Sequence, residues 1–238
     1  TLAALIREIN ENTQKHIITI EDPIEFVHED AKCIINQRSV GQDTLSFGAA
    51  LKSALREDPD IILVGEMRDM ETINLAIHAA DTGHLVFSTL HTLDAKETIN
   101  RIISTFPTNE QNRIRLGLSG VIQGVISQRL VKTIDGGRRA AMEIMVRTPT
   151  IEKLIAENND AGIKDAMEEG KAIYGSQTFD QSLFDLFVEG VVTKEEVMKN
   201  ATSASDLDLK IKDLVDSKAD AKKDGSSSEV FDDIFELK

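Results

Sequence analysis

Three short apolar runs constrain this chain more than any other feature. "HIITI" (His16–Ile20), "DIILV" (Asp60–Val64) and "HLVFSTLH" (His84–His91) are rich in β-branched residues and bounded by polar ones, the signature of buried strands. Stretches with helical spacing separate them. Ser46–Arg56 stops before Asp58-Pro59, and Asp69–Thr82 carries Ile73, Ala76, Ile77 and Ala80 on one face and ends at Gly83. Short strands joined by helices of this length pair in parallel, which predicts an α/β sheet.

The same reading extends outward. Leu2, Leu5, Ile6 and Ile9 make Thr1–Asn10 an amphipathic helix, and Leu93–Thr105 and Glu110–Val131 read as helices too. "RAAMEIM" (Arg139–Met145) reads as a last strand. After Pro149 only helices are predicted: Ile151–Glu157, Gly162–Glu169, Phe179–Glu189, Lys194–Asn200 and Asp206–Val215. The expected organisation is a core over residues 1–148, a small all-helical subdomain over 149–215, and a disordered acidic, Ser-rich tail over 216–238.

Composition removes several functions. The formal net charge is −14, the wrong sign for tracking a phosphate backbone, so no nucleic-acid partner is expected. Aromatics are 4% and Trp is absent, which disfavours stacking platforms. One cysteine, Cys33, permits no internal disulfide and no cysteine zinc cage, and predicts a reducing compartment. No apolar run approaches membrane-spanning length, and "TLAALIREIN" has charges where a signal peptide needs an apolar stretch. The expected location is cytoplasmic.

Open parallel sheets bind ligands beyond the carboxyl ends of their strands. Here "HIITI" runs into Glu21, Asp22 and Glu25, "DIILV" into Gly65-Glu66, and the third run is bracketed by His84 and His91, with Thr92 following. One carboxylate after a strand is ordinarily a cap or a turn residue, and a lone histidine is as often part of a core. Three polar strand ends at one sheet edge read together as an active site. A nucleotide site of this kind needs a Gly-rich loop ending in Lys and Ser/Thr. No such motif occurs in the chain. Because the sequence opens on a helix, the expectation is that the strand and loop lie upstream of Thr1, and that a chain without them hydrolyses ATP negligibly.

"ITIEDPIEFVHE" (Ile18–Glu29), "ALREDPDIILVGEMRD" (Ala54–Asp69), "TGHLVFSTLHT" (Thr82–Thr92) and "SQRL" (Ser127–Leu130) resemble the Asp box, the atypical Walker B motif and the His box of the secretion-superfamily motor ATPases. The similarity is to the type IV pilus retraction ATPases, the PilT/PilU family, and "SQTFDQSLFDLF" (Ser176–Phe187) is similar to the PilU branch. In "PTIEKLIAE" (Pro149–Glu157), Glu152 and Ala156 stand where PilT has arginine. The resemblance implies a RecA-like P-loop NTPase core, ATP and Mg²⁺ as cofactors, and a homo-hexamer. It also implies a partner retraction ATPase and an inner-membrane platform protein at the cytoplasmic membrane face. It implies that Glu66 holds Mg²⁺ through water, that Glu25 is the catalytic base, and that His84 and His91 meet the γ-phosphate. Glu21, Asp22, Gly65 and Thr92 are expected near the nucleotide. Arg56 and Arg68 either reach a neighbouring subunit's phosphate or form salt bridges.

Overall fold

The computed structural model describes residues 1–223. In chain order, α1 (Leu2–Asn12) is followed by β1 (His16–Glu21), β2 (Ile34–Ser39), α2 (Phe47–Ala54), β3 (Ile61–Val64), α3 (Met70–Asp81) and β4 (Leu85–Ser88). Next come α4 (Ala95–Ser104), α5 (Thr108–Val121), β5 (Gly124–Lys132) and β6 (Arg138–Val146). The rest is helical: α6 (Pro149–Ala156), α7 (Asp160–Glu169), α8 (Lys171–Tyr174), α9 (Phe179–Val188), α10 (Lys194–Asn200) and α11 (Ala204–Lys223). Two compact units emerge. The first holds Thr1–Thr92, Lys96–Ile122 and Ile155–Asn158; the second holds Leu93–Ala95, Gln123–Leu154 and the described residues from Asn159 on.

In the first unit a four-stranded sheet runs in the order β2-β1-β3-β4, every pairing parallel. Strands covered on both faces are near-continuous apolar runs; β3 is apolar throughout, and the interior of β1 is apolar apart from Thr19. Ile18, Ile20, Ile62 and Val64 point to one face, where Ala50, Leu51 and Ala54 of α2 and Ala76 and Ala79 of α3 meet them. Ile17, Ile61 and Leu63 point to the other, against Ile6 of α1 and Cys33. Ile17, Ile18, Ile20 and Ile62 are wholly buried, each stabilising the fold by about 1.5–3 kcal/mol. Helices α2 and α3 begin at side-chain caps. Ala49 N–H donates to Ser46 Oγ at the start of α2 (3.1 Å), and Thr72 N–H donates to Asp69 Oδ1 at the start of α3 (2.8 Å). Gly83 turns α3 into β4 with φ +103°, a conformation that side chains other than glycine rarely adopt.

β2 is a strand that the sequence reading did not anticipate. The helix expected over Glu110–Val131 also differs: α5 ends at Val121, Ile122 is extended (φ −59°, ψ 130°), and Gly124–Lys132 is strand β5. The strand expected at Arg139–Met145 is present as β6, but it pairs antiparallel with β5 instead of joining the parallel sheet. This two-stranded ribbon falls in the second unit, so the contacts divide the chain near Gln123, whereas the sequence reading divided it at 149. Its inward side chains, Val131 and Ala141, share a core with Phe179, Leu183, Val192, Val197, Leu207 and Ile211. Arg129 lies over the Phe179 ring, 3.8 Å from its centroid. Helix α11 continues through Lys223, past the boundary of the expected disordered tail at 216, because "DSKADAKK" is dominated by good helix formers and lacks Gly and Pro. The remainder of that tail, 224–238, lies outside the described residues.

Candidate functional site

Register decides which chain ends meet. Ile20 is level with Val64, and Val64 with Ser88. The residues that follow, Glu21, Gly65 and Thr89, therefore leave the sheet along one carboxyl edge. Gly65 N–H donates to the Ile20 carbonyl (2.8 Å), and Thr89 Oγ1 donates to the Gly65 carbonyl (2.6 Å). A Cβ at Gly65 would stand 3.2 Å from the Ile20 carbonyl oxygen and 3.3 Å from the Glu21 Cα. Both are backbone atoms that cannot swing aside. An aspartate at position 65 would thus crowd the backbone of β1, and the first acid beyond the strand is Glu66.

Glu66 is the centre of the cluster. Its Oε2 accepts from Arg68 Nη2 at 2.5 Å, and its Oε1 lies 3.5 Å from His91 Nε2. The hydrogen bond from Arg68 holds the Glu66 carboxyl below the usual carboxylate range against the opposing effect of burial, with the charges of Arg68 and His91 adding to it. Arg68 is raised in turn, first by its hydrogen bond to Glu66, and the charge of Asp22 contributes. Glu66, Arg68, His91 and Asp22 thus form one electrostatic group. Of the two roles expected for Arg68, the structure shows the salt bridge, made within its own chain.

The other expected residues divide into two sets. Glu21 is committed to its surroundings: its Oε1 accepts from Thr19 Oγ1 (2.6 Å) and from Gln37 Nε2 (3.1 Å). Glu25 and Asp22 lie exposed on the irregular loop after β1. Thr92 pairs its hydroxyl with that of Thr98 at 2.7 Å. His84 is not with them. It precedes Leu85, which is level with Ile61 and Ile17 at the amino edge of the sheet, one strand length of about 13 Å from the carboxyl edge. Its Nδ1 is 2.9 Å from the Ala79 carbonyl and 3.2 Å from Thr82 Oγ1. Facing a carbonyl, Nδ1 is the protonated nitrogen, and the ring closes the end of α3. Arg56 is exposed at that same amino edge, just before the β3 approach, away from the Glu66 group. Only one of the two histidines and one of the two arginines therefore joins the carboxylates. The reason is that each pair brackets a strand or its approach, and a strand's two ends lie on opposite edges of its sheet.

Two participants were missed in the sequence, Thr89 and Gln37. Neither is an acid or a ring, and their hydrogen bonds become visible only through the strand register. Among the described residues no three His, Cys, Asp or Glu side chains form a metal cage. Mg²⁺ is ordinarily held by one or two carboxylates together with substrate phosphates and waters, so the lone Glu66 carboxylate fits it.

Residues 1–136 match the family model described as "Type II/IV secretion system protein". The type IV pilus retraction ATPase PilT of Pseudomonas aeruginosa is 54% identical over 201 residues, which are 84% of this chain and 58% of that protein. The type IV pilus ATPase PilU of the same organism is 42% identical over 237 residues, 98% of this chain and 62% of that protein. The chain thus spans little more than half the length of these relatives. A crystal structure of the pilus retraction motor PilT with bound ADP superposes with a TM-score of 0.80 at 48% identity, covering 87% of this chain and 59% of that one. The parallel sheet, the Gly65-Glu66 strand end and these matches agree: the chain has the RecA-like fold, belongs to the type II/IV secretion system protein family, and within it resembles the pilus retraction ATPases.

Proposed function

We propose that this chain is part of an ATP-hydrolysing motor subunit that drives type IV pilus retraction, and hence twitching motility, as a homo-hexamer. It acts at the cytoplasmic face of the inner membrane, on the platform protein of the pilus machine. The observation that carries the reading is the Glu66 group: a carboxylate kept ionised by Arg68, facing His91, at the carboxyl edge of a parallel sheet. Among the described residues no helix is long and apolar enough to cross a membrane, which fits a peripheral position.

Phosphoryl transfer asks the protein for positioning and charge stabilisation more than for covalent chemistry. Glu25 accepts a proton from the attacking water as the new P–O bond forms and the bond to ADP breaks. Glu66 serves the metal side, through water, once Arg68 releases Oε2. Mg²⁺ held there would neutralise charge developing on the phosphates. His91 and Thr92 lie next along the chain to meet the γ-phosphate, and Asp22 keeps Arg68 at hand. Dividing the acids this way is sensible because a carboxylate engaged with a cation is a poor proton acceptor.

The test uses the full-length protein. Glu25→Gln keeps nucleotide affinity and loses turnover by about 10²–10⁴-fold. Glu66→Gln also weakens the Mg²⁺ dependence. Nucleotide affinity and turnover across a Mg²⁺ titration read both. Normal turnover of Glu25→Gln, with Glu66→Gln dead at unchanged Mg²⁺ dependence, reverses the assignment.

A second reading is an accessory motor subunit that hydrolyses little by itself. The alignment with PilU over 98% of the chain favours it. Complementation of a strain lacking only the partner retraction ATPase separates the two: a principal motor restores retraction alone, an accessory subunit does not.

A further inference from the structure

We infer that Gln37 is a positioning residue that sets the place of Glu25 by hooking the backbone of the loop on which Glu25 sits. The inference rests on the proposed role of Glu25 as base.

Between Asp22 and Lys32 the chain has no helix or strand. Apolar packing does little for the part next to Glu25, since Phe26 is 61% and Val27 86% exposed. The anchoring is polar. Gln37 stands on edge strand β2, level with Thr19 of β1. Its Nε2 donates to the Phe26 carbonyl (2.8 Å) and to Glu21 Oε1 (3.1 Å), and its Oε1 accepts from His28 N–H (2.8 Å). Farther along, Asn10 of α1 holds the loop's exit: its Nδ2 donates to the Glu29 carbonyl (2.8 Å), and its Oδ1 accepts from Ala31 and Cys33 N–H (3.1 and 3.2 Å). Glu25 lies between strand β1 and the Gln37 hook, one residue from the nearer contact.

The chemistry requires an amide. Two acceptors, the Phe26 carbonyl and the Glu21 carboxylate, need donors, while His28 N–H needs an acceptor. Gln supplies both from one planar group. The reversed amide would set NH₂ against N–H and oxygen against oxygen, so the network fixes its orientation. Glutamate at position 37 would satisfy His28 alone and place a second carboxylate against Glu21. The hook spans residues 26 and 28, so losing it frees the backbone that aims Glu25. Misplacement of a catalytic group by about 1 Å costs on the order of 10²-fold in rate.

The experiment uses the full-length protein carrying Gln37→Leu, with Gln37→Met, which also removes both the donor and the acceptor at nearly unchanged length, as a second variant should the first fold poorly. Three quantities are read: kcat and KM for Mg-ATP, amide exchange of the segment containing His28, and kcat in the Glu25→Gln background. The expected result is a fall in kcat of about 10- to 10²-fold with KM within about twofold. Exchange at His28 should rise about 5- to 10-fold, as for the loss of one hydrogen bond. The Glu25→Gln background should show no further loss. The inference is overturned if kcat stays within twofold, if exchange at His28 is unchanged, or if the full loss recurs without Glu25. Normal turnover of Glu25→Gln by itself removes the base assignment and the inference with it. A dead Glu25→Gln beside a normal Gln37→Leu removes the inference alone.

Discussion

Glu66 shows how little separates a structural salt bridge from a working acid. Its partner Arg68 is two residues away, largely exposed (68%), and free to exchange one anion for another, whereas Glu66 is only 19% exposed and stays in place. In the proposed motor the pair would keep Glu66 ionised between turnovers and yield when phosphate arrives. Linkage gives this a sign. A carboxyl with a depressed folded pKa contributes stability that is present above its unfolded pKa and lost as pH falls through the folded one. Arg68→Ala should thus be slightly less stable than the parent near pH 7, and the gap should close as pH drops below about 4. Thermal melts of both proteins across that range check it, and a gap that does not change with pH would mean that Arg68 acts by packing.

At the scale of elements, the segment "SQTFDQSLFDLF" joins ribbon and helices within the second unit. Gln177 exchanges two backbone hydrogen bonds with Ile144 of β6, each 2.8 Å. The chain then enters α9 through a capping box: Gln181 N–H donates to Thr178 Oγ1 (3.3 Å), and Thr178 N–H donates to Gln181 Oε1 (3.0 Å). The cap sets the start of the helix and so the face carrying Phe179, Leu183, Leu186 and Phe187 into the core. Thr178 is 2% exposed, so its loss cannot be made good by water. Thr178→Ala should cost about 1 kcal/mol, with a range of about 0.5–2. Urea unfolding followed by far-UV circular dichroism measures it. A cost well under 0.5 kcal/mol would mean that α9 is held by its apolar face alone.

For the whole molecule, the proposed motor places nucleotide between subunits, so the Glu66 group is one half of a site. In the proposed motor Arg56, exposed on the opposite sheet edge, is the arginine that serves a neighbour's site. The complete protein is expected to run as a hexamer in size-exclusion chromatography with light scattering when nucleotide is present. Arg56→Ala should lower turnover while leaving the Glu66–Arg68 pair intact. A full-length protein that stays monomeric under every nucleotide condition would count against the motor.

The sequence by itself determined the parallel core. β3 is apolar at every position, and β1 is apolar in its interior apart from Thr19, because both faces are covered. It also put Glu21, Gly65-Glu66 and His91 at one sheet edge, since in parallel strands the same end of each run lies there. Tertiary structure decided the rest. β2 reads "IINQRS": Ile34 is 60% exposed at the sheet edge, and Gln37 is needed for its amide, so pattern gives no strand signal. In β5 the outward residues Ile126 (48% exposed) and Leu130 (67%) follow Ile122 at spacings of four and so mimic a helix face, while the polar Ser127 is turned inward with Val131. Only the pairing with β6 makes that segment a strand. His84 and Arg56 read as members of the site because a one-dimensional string does not say which edge of the sheet a residue occupies. The register of β4 on β3 decides that, and it sets His84 one strand length from Glu66.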